Sequence, residues 1–268
     1  MDAIQIIEII LTGVGAGIFA GMFGIGGGII ILPVFMLLFH WNAHIAVGTS
    51  LAALLLPTNG LALNNYRKKG FLYIKGSLIV AAGMICGNYF GASLALSIDG
   101  GLVRALFGIY LIIVGIKYCK PIYTFNKLFK HEVAEEIKPI YSDIKQIKFY
   151  ILFITGICGG LFAGMFGIGG GLIITTILIN IYKINTKQAV ALSLGAMFLP
   201  IGISGTILFY NNGYVNITAA ILIAVGIEIG SNFSSRIALK MDDGIYKQIF
   251  GLFLVLLGIY FILENFLH

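Results

Sequence analysis

The sequence predicts an all-α polytopic membrane protein. It is expected to contain two inverted-topology repeats, each a glycine-tipped helical hairpin plus three transmembrane helices. Three observations carry that expectation: the composition, a long internal repeat, and the opposite placement of basic residues in equivalent loops. Of 268 residues, 59% are apolar and only 10% are charged, whereas a soluble domain carries about 25% charged residues. Mean hydropathy is +1.00. A disordered chain fails as well, because disorder goes with few apolar residues and much charge. The net charge of +6 sits in short clusters between apolar runs. Such clusters mark membrane topology rather than a phosphate-tracking surface, so a lipid bilayer is expected and no nucleic acid.

The repeat is legible by eye. Phe19 to Gly28 reads FAGMFGIGGG, and Phe162 to Gly171 reads the same ten residues at an offset of 143. Without a gap, that offset pairs Ser50 with Ser193, Pro57 with Pro200, Gly83 with Gly226, Gly87 with Gly230, and Asp99 with Asp242. The chain therefore divides into a first repeat over 1–118, a linker over 119–148 and a second repeat over 149–268. The stretch 117–148 holds seven lysines and four acids, with Pro139 as a breaker, and reads as a solvated segment.

Five apolar segments follow in each half: 4–23, 26–39, 43–64, 71–96 and 101–118, then 149–166, 169–182, 188–210, 215–239 and 245–264. A helix needs about 20 residues to cross hydrocarbon. Segments three, four and five supply three crossings, and the second segment is too short to cross unaided. Segments one and two then form a hairpin with the glycine run at its tip, and the two tips should meet inside the membrane. Segment one lacks the basic start of a cleaved signal peptide and is expected to stay.

Orientation comes from Lys and Arg in the loops. Arg67, Lys68 and Lys69 occupy loop 65–70, while the counterpart 208–213 has none; Lys183 and Lys187 occupy the counterpart of loop 40–45, which has none. Equivalent loops have opposite bias, so the halves should be inverted. With the linker in the cytoplasm, all 17 Lys and Arg except Arg104 fall inside. Both termini then face outward across the cell membrane.

The glycine run superficially resembles a dinucleotide fingerprint, but the strand and βαβ unit which that reading requires are not present. Gly13, Gly17 and Gly21, like Gly156, Gly160 and Gly164, fit close helix packing. The tips differ. Gly24, Gly26, Gly27 and Gly28, with Gly167, Gly169, Gly170 and Gly171, put bare N–H groups at a helix start, where the positive dipole end attracts anions. Two such ends from opposite faces are the broken-helix arrangement of secondary transporters.

The paired G-x-x-G-x-G-G-G hairpins, the following Ala-Val-Gly-Thr-Ser-Leu at 46–51 and the duplication together resemble the TauE/SafE family of sulfite and organosulfonate exporters. The resemblance covers nearly the whole chain apart from the linker. It implies a secondary transporter that moves a small anion, sulfite or an organosulfonate, by alternating access, with proton coupling as one option. The second half reads Ala-Val-Ala-Leu-Ser-Leu at 189–194, departing at the positions of Gly48 and Thr49, so a substrate-binding hydroxyl is expected at Ser50 and Ser193. An uptake permease for another small solute and an anion channel are the alternatives.

Other polar residues fall at membrane depth. Ser50 and Pro57 are seven apart, two helical turns, and so share one face, as do Ser193 and Pro200; each proline frees a carbonyl and can kink the helix. Asn59, Asn88 and Asn232 are path-lining candidates. Glu228 lies inside an apolar run, opposite Ile85 in the repeat. A carboxyl group there is costly and therefore a functional candidate, here for proton coupling, or else it is hydrogen-bonded to a neighbouring helix. Asp99 and Asp242 read as helix N-caps. The three cysteines lack metal spacing and read as packing residues, and the four histidines fall at loops and ends. No metal, cofactor or catalytic set is expected, enzyme function is not, and a homo-oligomer is compatible with the sequence.

Overall fold

The computed structural model describes residues 3–119, 144–241 and 243–267. Most of the linker and Asp242 therefore lie outside the described residues. The chain there is helical, and no strand occurs among the described residues. In the first half the helices are α1 (Ala3–Phe23), α2 (Gly28–Leu37), α3 (Ala43–Ala53), α4 (Gly60–Lys68), α5 (Ile74–Ser97) and α6 (Gly100–Cys119). In the second they are α7 (Phe149–Phe166), α8 (Gly171–Thr176), α9 (Thr186–Met197), α10 (Ile203–Asn211), α11 (Ile217–Ala238) and α12 (Asp243–Leu267). A π-helical stretch, Ile177–Ile181, prolongs α8. Among the described residues, four helices are long and apolar enough to cross a membrane: Ile4–Phe23, Ile74–Ser97, Phe149–Phe166 and Ile217–Ala238.

Ten apolar segments were expected, and the third of each half departs from expectation. It is two helices, not one. After α3 the Leu54 N–H still bonds the Ser50 carbonyl (3.1 Å), but Thr58 bonds back only to Leu56 (2.6 Å) and Asn59 turns left-handed at φ 66°. The second half breaks alike, with Ile201 bonded to Leu199 (2.7 Å). Pro57 and Pro200 have no N–H to continue the ladder, so the expected kink is a full interruption. Ser50 and Pro57 consequently share no helical face. The Asp99 cap is present, its Oδ2 accepting from the Gly101 N–H at 2.7 Å. Of the cysteines, Cys86 is exposed rather than packed; it lies on the outward face of α5 with Leu78, Tyr89 and Phe90.

Three helix pairs form the body: α5 with α7, α1 with α11, and α6 with α12. Apolar solvent gives no hydrophobic reason for helices to associate, so close van der Waals approach must supply it. The glycine stripes allow that approach. A Cβ on Gly13, Gly17 or Gly21 would strike the backbone of Ile223, Ile227 or Ser231, and one on Gly156, Gly160 or Gly164 would strike Val80, Met84 or Asn88. In both pairs the contacts ascend together, so the helices run parallel. The equivalent helices α6 and α12 run antiparallel, Gly108 facing Gly258 and Phe261 while Gly115 faces Gly251 and Val255. Ring contacts, equivalent in the repeat, tie the hairpin tips to this last pair: Phe23 stacked on Phe250 at 4.1 Å, and Phe166 tilted against Phe107 at 5.3 Å.

Gly87 and Gly15 make a controlled comparison. A Cβ at Gly87 meets the Ile157 carbonyl and Leu161 N, while one at Gly15 meets nothing within 4 Å. Gly87→Ala should destabilise by roughly 1–3 kcal/mol through overpacking, and Gly15→Ala should not. Thermal unfolding of the two purified variants in detergent measures the difference; equal melting temperatures would contradict this account of the α5–α7 seam.

Candidate functional site

The two glycine tips cross at the centre of the fold. Left-handed backbone makes each turn: φ is 65°, 81° and 81° at Gly24, Gly26 and Gly27, and 66°, 77° and 73° at Gly167, Gly169 and Gly170. A side chain there is strained. Gly28 and Gly171 have ordinary φ but no room. A Cβ on Gly28 would strike the Gly167 carbonyl and Ile168, and one on Gly171 would strike the Gly24 carbonyl and Ile25. The tips thus touch reciprocally. At α2 the first bonds run from Ile30 (3.0 Å) and Ile31 (3.3 Å) to the Gly27 carbonyl, and at α8 from Ile174 to Gly170 (3.2 Å), leaving the N–H groups ahead of these as the orphan donors of a helix start.

Ser50 and Ser193 come to this crossing from α3 and α9. Each hydroxyl donates to the opposite tip, Ser50 Oγ to the Gly167 carbonyl at 2.6 Å and Ser193 Oγ to the Gly24 carbonyl at 2.7 Å. Both residues are fully buried. Their hydroxyl hydrogens are committed to holding the tips, so a donor role toward a ligand is not what this conformation provides. Two residues absent from the sequence reading complete the crossing. The Met197 methyl lies beside both Gly26 and Gly169, and a Cβ on Gly169 would come within 2.9 Å of Leu54 Cδ1. Leu54 and Met197 are themselves equivalent at the 143-residue offset, each three residues before a helix-breaking proline. That register was the available signal.

Around the crossing the restarted helices need caps, and the other half provides them. Glu228 on α11 accepts from the Gly60 N–H (Oε2, 3.0 Å) and the Leu61 N–H (Oε1, 2.8 Å) at the start of α4. A carboxylate on a helix N-terminus satisfies orphan donors and suits the dipole, which is how an acid fits inside this apolar run. Asn88 on α5 does the corresponding work at α10, its Oδ1 accepting from the Gly205 N–H at 2.8 Å. Thr49 Oγ1 accepts from the Asn216 N–H at 3.0 Å, where α11 begins.

The path-lining candidates therefore fall into two groups. Asn59 precedes α4 next to the Glu228 cap, 1% exposed, with its Oδ1 unpartnered among the described residues. Asn232 lies one turn beyond Glu228 and accepts from Asn65 (3.3 Å) and Arg236 (3.4 Å), while Asn65 also donates to Ser235 Oγ at 2.9 Å. These residues form a polar seam between α4 and α11. Asn88 is apart from them, on the α5–α10 seam. Among the described residues no cluster of His, Cys, Asp or Glu could hold a metal ion.

The cap gives a stability expectation. Removing both charge-assisted bonds in Glu228→Ala strands two N–H groups and should cost about 1.5–3 kcal/mol; Glu228→Gln, which keeps an acceptor oxygen, should cost less. Thermal unfolding in detergent orders the three proteins, and an Ala variant as stable as wild type would remove Glu228 from the cap.

Comparison with known proteins agrees with this architecture. The family model described as "Sulfite exporter TauE/SafE" matches residues 9–261. The chain is 28% identical over 270 residues to a protein of Methanocaldococcus jannaschii named a probable membrane transporter protein, covering 95% of this chain and 94% of that one. It is 27% identical over 273 residues to the Bacillus subtilis probable membrane transporter protein YunE, covering 96% and 97%. No solved structure matches it. Match, hairpins and helical body converge on one assignment: the chain belongs to the TauE/SafE family and is a membrane transporter.

Proposed function

We propose that the protein is a secondary transporter that moves a small anion, sulfite or an organosulfonate, by alternating access around the crossed hairpin tips. The observation that carries this reading is the crossing itself. Two helix starts with orphan N–H donors meet through Gly28 against Gly167 and Gly171 against Gly24, and helix starts of this kind favour negative charge. Lysine and arginine are absent from both tips, so backbone dipoles bind weakly enough for cargo to be released. The sulfur oxyanion comes from the description of the matching family. Met197 and Leu54 seal the crossing in the conformation seen here, as an occluded state of a carrier requires. Glu228 is the coupling group: a proton on its carboxylate weakens the α4 cap and lets α4 separate from α11.

Transport into proteoliposomes tests this directly. Sulfite or a sulfonate should be taken up saturably, with sulfate and nitrate as comparators, and an imposed pH gradient should drive it. Gly27→Val, which forces a β-branched side chain to φ 81°, should reduce uptake at least about tenfold while the protein still inserts; strain of that size is about 1–2 kcal/mol. Glu228→Gln should make uptake indifferent to the gradient. Anion flux that does not saturate would point to a channel instead.

The proposed topology is inverted, with both termini outside and residues 119–148 in the cytoplasm, separating repeats 1–118 and 149–268. Its supports are the opposite Lys/Arg bias of equivalent loops and the antiparallel packing of the equivalent helices α6 and α12. In a background lacking Cys86, Cys119 and Cys158, an impermeant thiol reagent should label a cysteine at 212 in intact cells and not one at 68. The reverse pattern would overturn the orientation, and labelling at both would overturn the inversion.

A further inference from the structure

The restarted helices α4 and α10 are equivalent in the repeat, and they are capped by different chemistry. At α4 a carboxylate takes two N–H groups, those of Gly60 and Leu61. At α10 a neutral carboxamide takes one, that of Gly205. The cradle at α10 is shaped for that carboxamide, because a Cβ on Gly205 would strike Asn88 Oδ1. The Gly205 N–H also fixes which way the amide faces: a donor needs the oxygen, so Nδ2 is the other end. That Nδ2 is buried and makes no hydrogen bond among the described residues, on a side chain only 1% exposed. Nδ2 is covalently next to an oxygen that sits on the helix start, so it lies at the same mouth. The Ser204 N–H, ahead of the first bond inside α10 (Thr206 to Gly202, 2.8 Å), makes none among the described residues either.

A buried donor without an acceptor is costly, and Asn88 Nδ2 beside the positive end of a nine-residue helix asks for a negative partner. The surroundings would not repel one. The sequences of α3, α5, α7 and α10 hold no Asp or Glu. The place is also close to the crossing. Asn88 abuts Gly164, three residues before the tip at Gly167, which is about 4.5 Å along the axis at 1.5 Å per residue.

We propose that the N-terminus of α10 with Asn88 Nδ2 is an anion subsite, in which a small oxyanion takes Asn88 Nδ2 and the Ser204 N–H, the equivalent of the Leu61 N–H that Glu228 takes at α4. The Ile203 N–H stays on the Pro200 carbonyl at 3.2 Å. Glu228 is then a built-in surrogate for the ligand, and the anion path runs along the α5–α10 seam. This rests on the reading of the protein as an anion transporter and adds a second station to the one at the tips.

Asn88→Asp is the informative variant. It replaces the free donor by a second carboxylate oxygen and copies at α10 what Glu228 does at α4. With the full chain in nanodiscs, sulfite binding is measured by calorimetry and by the melting-temperature rise on adding sulfite, with Gly15→Ala as the control. Wild type and Gly15→Ala should bind sulfite. Asn88→Asp should bind at least about tenfold more weakly, a loss equal to one hydrogen bond to a charged group. Without sulfite it should melt no lower than wild type, because α10 is still capped. If Asn88→Asp fails to fold, Asn88→Ala should show the same loss of affinity without added charge. Sulfite affinity within twofold of wild type in either variant would overturn the subsite while leaving anion transport through the tips intact. Wild type that binds neither sulfite nor sulfate would overturn both readings.

Discussion

A polypeptide in hydrocarbon cannot leave backbone N–H or C=O groups unpaired, and this chain interrupts its helices at four places in the middle of the fold. Everything else in the structure follows from how those interruptions are closed. Ser50 closes on the Gly167 carbonyl and Ser193 on the Gly24 carbonyl. Glu228 closes the start of α4, and Asn88 closes the start of α10. In every case the closing group comes from the opposite half of the chain. At these four places each half of the chain is closed by the other. Parallel packing of α1 on α11 and of α5 on α7 is the geometric counterpart: each hairpin is held by the other half's long helix.

Much of this was legible in the sequence because it repeats. The identical decapeptide marked both tips, the glycines four apart marked the packing stripes, and α7 spans the apolar segment expected at 149–166. What stayed hidden depends on contacts across the repeat. Pro57 and Pro200 looked like kinks in continuous helices, since a lone proline costs one bond and a bend. A complete break becomes tolerable only when a partner some 168 residues away caps the restart, as Glu228 does for Gly60. No local pattern carries that. Likewise the two serines looked like ligand donors because their spacing to the tips in three dimensions could not be read from their spacing in the chain. Leu54 and Met197 were readable in principle from the 143-residue register, yet apolar residues beside a proline attract no functional suspicion.

The duplication has not stayed symmetric, and the differences concentrate on one seam. Glu228 stands opposite Ile85, Asn65 opposite Leu208, and Asn88 opposite Ser231. The α4–α11 seam is consequently laced by Glu228, Asn65, Asn232, Ser235 and Arg236, whereas α10 meets α5 through Asn88 and Ser204. Hydrogen bonds to an ionised group are roughly twice as strong as neutral ones. Two bonds to the Glu228 carboxyl hold the start of α4, whereas α10 is held by the Gly205 bond to Asn88 and by the Ser204 hydroxyl donating to the Ile85 carbonyl at 3.0 Å.

That inequality bears on how a two-fold fold can move in one direction at a time. Were the seams identical, opening toward one side of the membrane would cost as much as opening toward the other. Here the seams differ: the Glu228 carboxyl holds α4 to α11, and Asn88 and Ser204 hold α10 to α5. In the proposed coupling role, neutralising that one carboxyl would remove charge assistance from the α4 start while the hydrogen-bond geometry remains. In that role Glu228 would set the balance between the two seams, and the residue that replaces it in the other half, Ile85, cannot answer in kind.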